Sequence, residues 1–370
     1  VSAPAPDPQP PTPDPRSPEI ALLEALIRIP SVSGDEGAAA RYLVAQMAAR
    51  GFDSFVDAAG NAVGIVGEGR PETVLLGHID TVPGMIPVRI ADGKLYGRGA
   101  VDAKGPLAAF VCAATRLRES GHLRGRIVVI GCVEEEAPSS RGARHVVNLY
   151  RPDFCIVGEP SRWDRVTLGY KGALRLRVQV EQPCGHSAHD RRTATERVVA
   201  VWQRIAAHAA TFNADKPRAF DQLLPTLIAI NSSSDGLHES AVAEIGIRLP
   251  PGIAPESVAA EIATLDPASR IDVLGSAPAF ESPRNTPPVR ALTHAIRAYD
   301  SRPGLVLKTG TADMNIVGPA WGCPTVAYGP GDAALDHTPE EHIELDEYLR
   351  SINVLATALA RLHDGGDHAA

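Results

Sequence analysis

An α/β fold with a small α+β domain inserted into it is what this sequence predicts, on three observations. Short apolar runs rich in β-branched residues alternate with stretches of helical spacing through the first 160 or so residues. The middle of the chain switches to a period-two pattern. After about residue 285 the alternating style returns. The 370 residues are 44% hydrophobic and 22% charged, enough to bury sizeable cores, and the length suggests two or three domains.

Residues 1–18 contain eight prolines and almost no large apolar side chain, which predicts a solvated, extended tail over 1–17. It lacks the basic start and apolar core of a secretory signal, so a cytoplasmic location is expected. Residues 18–27 then have helical spacing, with Ser17 as N-cap and Pro18 at the first helical position. A second helical pattern runs over 36–51 and ends at Gly51. Thr73–Leu76, Arg126–Ile130 and Phe154–Val157 read as strands, with helical stretches between some of them at about 104–119 and 140–149. Leu174–Val180 alternates apolar and polar residues as a half-exposed strand does. A helix at about 193–210 and strands at Thr226–Ile230 and Ala243–Leu249 complete a strand–helix–strand–strand order that suits an antiparallel insertion. A helix at about 288–299, an apolar run at Pro324–Tyr328 and a helix from about Asp346 to Leu362 close the chain.

Composition excludes several classes. Lys+Arg of 36 against Asp+Glu of 44 gives a net charge of −8, which argues against a protein that coats nucleic acid. The apolar runs are shorter than the roughly 20 residues of a membrane helix. Five cysteines with no C-x-x-C pair argue against a disulfide scaffold or zinc finger and fit a reducing compartment. No Gly-x-Ser-x-Gly elbow and no phosphate-binding Gly-x-x-x-x-Gly-Lys-Ser/Thr loop occurs.

Polar residues cluster just after the predicted strands, where α/β proteins build sites. His78, two residues before Asp80, is a good metal-ligand pair in which Asp80 holds the imidazole tautomer, and equally the pattern of a buried histidine beside a turn aspartate. Asp102 lies between glycines ahead of a helix, as a ligand or an ordinary N-cap would. Glu134, Glu135 and Glu136 come after a strand; such neighbours repel one another unless a cation or protons intervene, and a solvated loop is the plain alternative. Glu159 comes after another strand, and His337 lies in a turn-rich loop. Nitrogen and oxygen donors without thiolates suit Zn²⁺, Co²⁺ or Mn²⁺, and a spare carboxylate can act as general base.

In order, Gly77-His78-Ile79-Asp80, Gly97-Arg-Gly-Ala-Val-Asp102-Ala-Lys-Gly105, Glu134-Glu135-Glu136, Gly158-Glu159-Pro160 and Asp336-His337-Thr338-Pro339 resemble the motifs of the ArgE/DapE/carboxypeptidase-G family of co-catalytic zinc hydrolases, over about residues 18–365. The resemblance implies a zinc-peptidase-like catalytic domain with a central mixed sheet flanked by helices, formed by 18–166 and 285–370, and a lid or dimerisation domain at 167–284. It implies two zinc ions per subunit, with cobalt as an alternative. His78 and Glu159 would hold one ion, Glu136 and His337 the other, and Asp102 would bridge both. Asp80 would orient His78, and Glu135 would be the general base. The family's acidic triplet usually begins with Asp, where this chain has Glu134, and three adjacent glutamates leave a one-residue shift of the assignment open. Gly185-His186-Ser187-Ala188 resembles the lid motif whose histidine stabilises the oxyanion, often from a partner subunit of a homodimer. Asn231 and Arg248 lie where the family places groups that hold a substrate carboxylate.

Narrower features, Gly169-Tyr-Lys-Gly172 and Lys308-Thr-Gly-Thr-Ala-Asp-Met-Asn315 among them, resemble the branch that releases lysine from the γ-carboxyl of the C-terminal glutamate of LysW, a small acidic amino-group carrier protein. That branch serves lysine biosynthesis by the α-aminoadipate route, and some members release ornithine for arginine synthesis. Lys308, Thr311, Asp313 and Asn315 are then candidates for contacts near the substrate, or simply the residues of a turn. Residues 165–218 carry ten Lys/Arg and four acids, a local +6 that would steer an acidic carrier or would merely be a solvated face. A small-molecule deacylase acting on N-acetylornithine, N-acetyllysine or N-succinyl-diaminopimelate is the competing function on the same fold. A non-catalytic binding protein is disfavoured by the full set of ligands and Glu135.

Overall fold

The computed structural model describes residue 14 and residues 17–186, 188 and 191–364. The expected tail over 1–17 falls almost wholly outside the described residues, as does Ser187 of the lid motif. The chain enters through α1 (Pro18–Ile27), where the Ser17 hydroxyl accepts the Ile20 N–H and Pro18 starts the helix. It continues through α2 (Gly37–Ala49), β1 (Asp53–Val56), β2 (Ala62–Gly67), β3 (Glu72–His78), β4 (Arg89–Ala91), β5 (Lys94–Tyr96), α3 (Lys104–Glu119), β6 (Arg126–Cys132), α4 (Arg141–Val146), β7 (Phe154–Gly158) and β8 (Arg165–Tyr170). A second group comes next: β9 (Gly172–Pro183), α5 (Ala194–Asn213), β10 (Leu224–Ser234), β11 (His238–Leu249), α6 (Pro255–Ala263) and β12 (Arg270–Ala277). The chain then returns with β13 (Phe280–Glu281), α7 (Pro287–Arg297), β14 (Gly304–Lys308), α8 (Met314–Trp321), β15 (Thr325–Ala327), β16 (His342–Glu344) and α9 (Leu345–His363).

A mixed nine-stranded sheet runs β1-β2-β6-β3-β7-β15-β8-β13, with β14 paired to β8. Its centre, β6-β3-β7-β15, is parallel. β3 and β7 are buried along their whole length, as parallel strands covered on both faces must be. Leu75, Val129 and Ile156 face one way, into a core with α1, α3 and α9, while Val74, Leu76, Val128 and Val157 face α4 and α8. Each such side chain contributes roughly 1.5–3 kcal/mol by leaving water. A four-stranded antiparallel sheet, β10-β11-β9-β12, has its own core. There Leu174, Leu176, Val178 and Val180 of β9 pack against Val198, Val201 and Ile205 of α5, which starts in a Thr193–Glu196 capping box. A three-stranded sheet, β16-β5-β4, sits beside the larger one.

Several elements depart from the sequence expectation. The β1–β2 hairpin, α6, α8 and β12 are not anticipated. β1 is an edge strand with little buried surface, and β12 carries no clean alternation, so neither shows a period. α8 contains Pro319, which breaks the helical signal. Among the described residues no helix is long and apolar enough to cross a membrane.

Candidate metal centre

β6, β3 and β7 are parallel neighbours, so the loops leaving their C-terminal ends all emerge at one edge of the sheet. His78 ends β3 opposite Cys132, the last residue of β6, and the glutamates 134–136 continue from there. Glu159 comes directly after β7. Asp102 arrives from the other side, two residues before α3, a helix that packs tightly on these strands. A Cβ at Gly158 would stand 2.9 Å from the Phe110 ring, so glycine at that strand end is what lets α3 come this close. His337 comes from the loop before β16, in a left-handed backbone conformation at φ 61°.

Asp102 sits between the two histidines. Its Oδ1 is 3.1 Å from His78 Nε2, and its Oδ2 is 3.1 Å from His337 Nε2. His337 Nε2 is also 2.9 Å from Glu136 Oε1. The ligand atoms of His78, Asp102 and Glu159 all lie within 4.8 Å of one another, and so do those of Asp102, Glu136 and His337. His78, Glu135 and Glu136 form a third such group, which puts Glu135 at the same centre. The fold thus brings together all five sequence-predicted ligands and the predicted base.

The charges explain what such a centre needs. Burial drives the Glu135 and Glu136 carboxyls up, and neighbouring carboxylates add to it. Glu159 is pushed up to about 8 by burial and the nearby Asp102, against the pull of His78. The Asp102 hydrogen bond, opposed by burial, raises His337 to about 9. Burial alone would lower His78, but its bonds to Asp102 and Asp80 hold it well above its usual value. Burial likewise opposes ionisation of Asp102, which both histidines nevertheless hold far below the usual carboxylate range. Four carboxylates and two imidazoles crowded this closely, with no thiolate, fit a pair of divalent cations, which would relieve the repulsion.

The supporting groups refine one expectation and add two. The nearest acceptor for His78 Nδ1–H is the main-chain carbonyl of Asp80 at 3.0 Å; the Asp80 Oδ1 is 3.6 Å away. Asp80 itself is fully buried and spends its carboxylate on the acidic loop, accepting the Glu135 N–H at 3.1 Å, the Glu136 N–H at 3.0 Å and the Ser33 hydroxyl at 2.7 Å. Glu341, missed in the sequence, is buried and accepts the N–H groups of Val101 at 3.0 Å and Asp102 at 3.2 Å while pairing with Arg98 at 2.8 Å. Glu36, also missed, accepts from Gly34 and Glu134. Neither carries a local signal: Glu341 lies some 240 residues from the loop it holds.

The substrate-side candidates separate. Arg248, on β11, donates to the Thr311 hydroxyl at 2.7 Å and lies within electrostatic reach of Glu135. Lys308 donates to the Pro160 carbonyl beside Glu159. Asn231 is exposed on the edge strand β10, and among the described residues no hydrogen bond joins it to the metal groups. His186 stands on an exposed loop after β9, its Nδ1 accepting the Ala188 N–H at 3.1 Å. Asn315 turns into the fold. Its side chain is buried and bonded to main-chain groups. Asp313 is buried too, and burial pushes its carboxyl up to about 7. The basic stretch at 165–218 is partly paired with acids. Arg175 and Arg177 pair with Glu244, Arg191 with Glu239, Arg197 with Asp266 and Arg218 with Asp221, and Lys171 is buried.

Residues 74–361 match the model of peptidase family M20/M25/M40. A LysW-lysine hydrolase of Deinococcus radiodurans is 47% identical over 350 residues, covering 93% of this chain and 97% of its own. A LysW-lysine/LysW-ornithine hydrolase of Saccharolobus solfataricus is 31% identical, covering 80% of this chain and 83% of its own. Among solved structures, an M20 family metallo-carboxypeptidase from Sulfolobus solfataricus superposes with a TM-score of 0.78 at 18% identity, covering 94% of this chain and 100% of its own.

Proposed function

The chain belongs to peptidase family M20/M25/M40, and from that premise we propose that it releases lysine from the γ-carboxyl of the C-terminal glutamate of a LysW-type amino-group carrier protein. It is a metal-dependent hydrolase of amide bonds. The observation that carries the reading is the pair of ligand groups sharing Asp102, with Glu135 beside both. His78, Glu159 and Asp102 would hold one ion, and Asp102, Glu136 and His337 the other. Bound there, two zinc ions would supply Lewis-acid polarisation of the scissile carbonyl and acidify the attacking water.

The chain's own groups do the rest. Glu135, whose burial raises its basicity, takes a proton from the attacking water and gives it to the leaving amine of lysine. Asp80 keeps Glu135 and Glu136 in register through their N–H groups, and its carbonyl holds His78 with Nε2 turned to the centre. Arg248, with Thr311, is suited to the carboxylate of the departing lysine, and Lys308 to the same rim of the cleft. His186 and Asn231 are assigned to the oxyanion and the substrate carboxylate of a partner's site. His186 stands past the far end of the twelve-residue β9 from the body, and Asn231 is exposed on the outer strand of the lid sheet.

We read 18–166 with 285–370 as the catalytic body and 167–284 as a lid, and we place the protein as a homodimer through that lid. Among the described residues β10 is an unpaired edge of the lid sheet, with Ile228 47% exposed and, past its end, Leu237 75% exposed, a surface that a second copy would cover. The five cysteines are free, which fits the cytoplasm.

The test is lysine release from a carrier bearing γ-glutamyl-linked lysine, with and without a chelator, beside γ-glutamyl-linked ornithine, N-acetylornithine and N-acetyllysine. Chelator-sensitive release from the carrier is expected. Turnover of the free acyl amino acids alone would overturn the substrate and keep the metal chemistry.

A further inference from the structure

We propose that Asn315 is a positioning residue that fixes the lid relative to the catalytic body by gripping both chain crossings between them, an inference that rests on the body-and-lid reading above. The chain crosses from body to lid at Tyr170–Gly172 and returns at Ala277–Phe280. The two crossings touch backbone to backbone: a Cβ at Gly172 would lie 2.7 Å from both the Ala277 carbonyl oxygen and the Ala279 nitrogen. Asn315, buried to 1% exposure, donates its amide N–H groups to the Lys171 carbonyl at 3.1 Å on the outgoing crossing and to the Pro278 carbonyl at 2.8 Å on the returning one. Its Oδ1 accepts the Ala312 N–H at 2.9 Å, which fixes the amide's orientation.

Lys171 anchors the lid side of the same joint. Its N–H donates to the Lys308 carbonyl, and its buried ammonium donates to the carbonyls of Ala219, Phe220 and Gln222 in the lid. The segment Lys308–Asn315 therefore does three things within eight residues. Lys308 reaches the cleft wall at Pro160, Thr311 meets Arg248 of the lid, and Asn315 clamps the crossings. A hinge turned at Asn315 moves Arg248 relative to Glu135, so lid angle and site geometry are one variable.

The experiment uses the full chain with spin labels on Glu119→Cys in the body and Asp215→Cys in the lid, both exposed, in a Cys184→Ser, Cys323→Ser background. Pulsed dipolar spectroscopy gives the distance distribution between them, and metal content and kinetics are measured in parallel. Asn315→Ala is expected to broaden the distribution, leave metal content unchanged and lower kcat/KM roughly 10- to 100-fold. A distribution as narrow as the parent's overturns the proposal, as does a broadened one with parental kcat/KM. Should Asn315→Ala not fold, the near-isosteric Asn315→Asp keeps the acceptor for the Ala312 N–H and removes the amide donors to both crossings, and the same two outcomes decide. The distances do not depend on which amide is cut, so failure of the substrate assignment would leave this test intact.

Discussion

Removing Asp80 distinguishes two ways in which this residue can serve the centre. Were its carboxylate only to orient His78, Asp80→Ala would weaken the ion held by His78 and Glu159 and leave the other alone. The observed bonds say otherwise, because the carboxylate accepts from the N–H groups of Glu135 and Glu136 and from Ser33. Asp80→Ala orphans those three donors in a site where Asp80 is fully buried. At roughly 1–2 kcal/mol for each buried donor left unmade, the cost to folding is about 3–6 kcal/mol. Glu136 belongs to the group of Asp102 and His337, so its displacement reaches the second ion as well. Affinity for both ions is expected to fall roughly 10- to 100-fold, the usual range for losing a group that holds ligands in place. Asp80→Asn keeps one acceptor oxygen and should lose less in each quantity. Calorimetric titration of the metal-free protein with Zn²⁺ reads the two binding events separately. Unchanged affinity at the second ion, with only the first weakened, would refute the argument and return Asp80 to a role through His78 alone.

Three further outcomes are expected. Glu135→Gln should keep both ions and lower kcat roughly 10²- to 10⁴-fold, the range for losing a general base; a bound-metal protein with parental turnover would exclude Glu135 from that role. In the metal-free protein the raised values of His337, about 9, and Glu159, about 8, leave both protonated at pH 7, and ions must displace those protons. His78, another ligand held well above its usual value, adds a further proton, so metal uptake at pH 7 should release more than two protons and tighten as pH rises toward 9, read from calorimetry in buffers of different ionisation enthalpy; heats independent of the buffer would contradict it. Burial lowers Lys171 to about 8 against 10.5 when unfolded, so the unfolded chain binds more protons between those values and stability gains a rising term from pH 8 to 10.5. Lys171→Met should flatten that part of the pH–stability curve, measured by urea unfolding, and an unaltered slope would rule the lysine out as its source.

Features that depend on near neighbours along the chain are legible without a structure. Ser17 and Pro18 start α1, the alternation of Leu174, Leu176, Val178 and Val180 makes β9 one-sided, and short apolar runs mark β3 and β7 as strands. Position after a strand is itself local, and it singles out His78, Glu135, Glu136 and Glu159; Asp102 lies ahead of a helix and His337 in a loop, and the roles of all six rest on the resemblance of their motifs to a family. The groups that hold those residues in place come together only through folding. Glu341 binds the Asp102 loop and Asn315 binds Lys171 and Pro278 across separations of 37 to 240 residues, where no periodicity carries information. Folding also decides charge. A run of arginines counts as basic in a sequence, but Glu244, Glu239 and Asp266 come from other strands and loops to offset part of that charge. Electrostatic partners are set by distance in space, and chain proximity fixes that distance only within a turn or two of helix or strand.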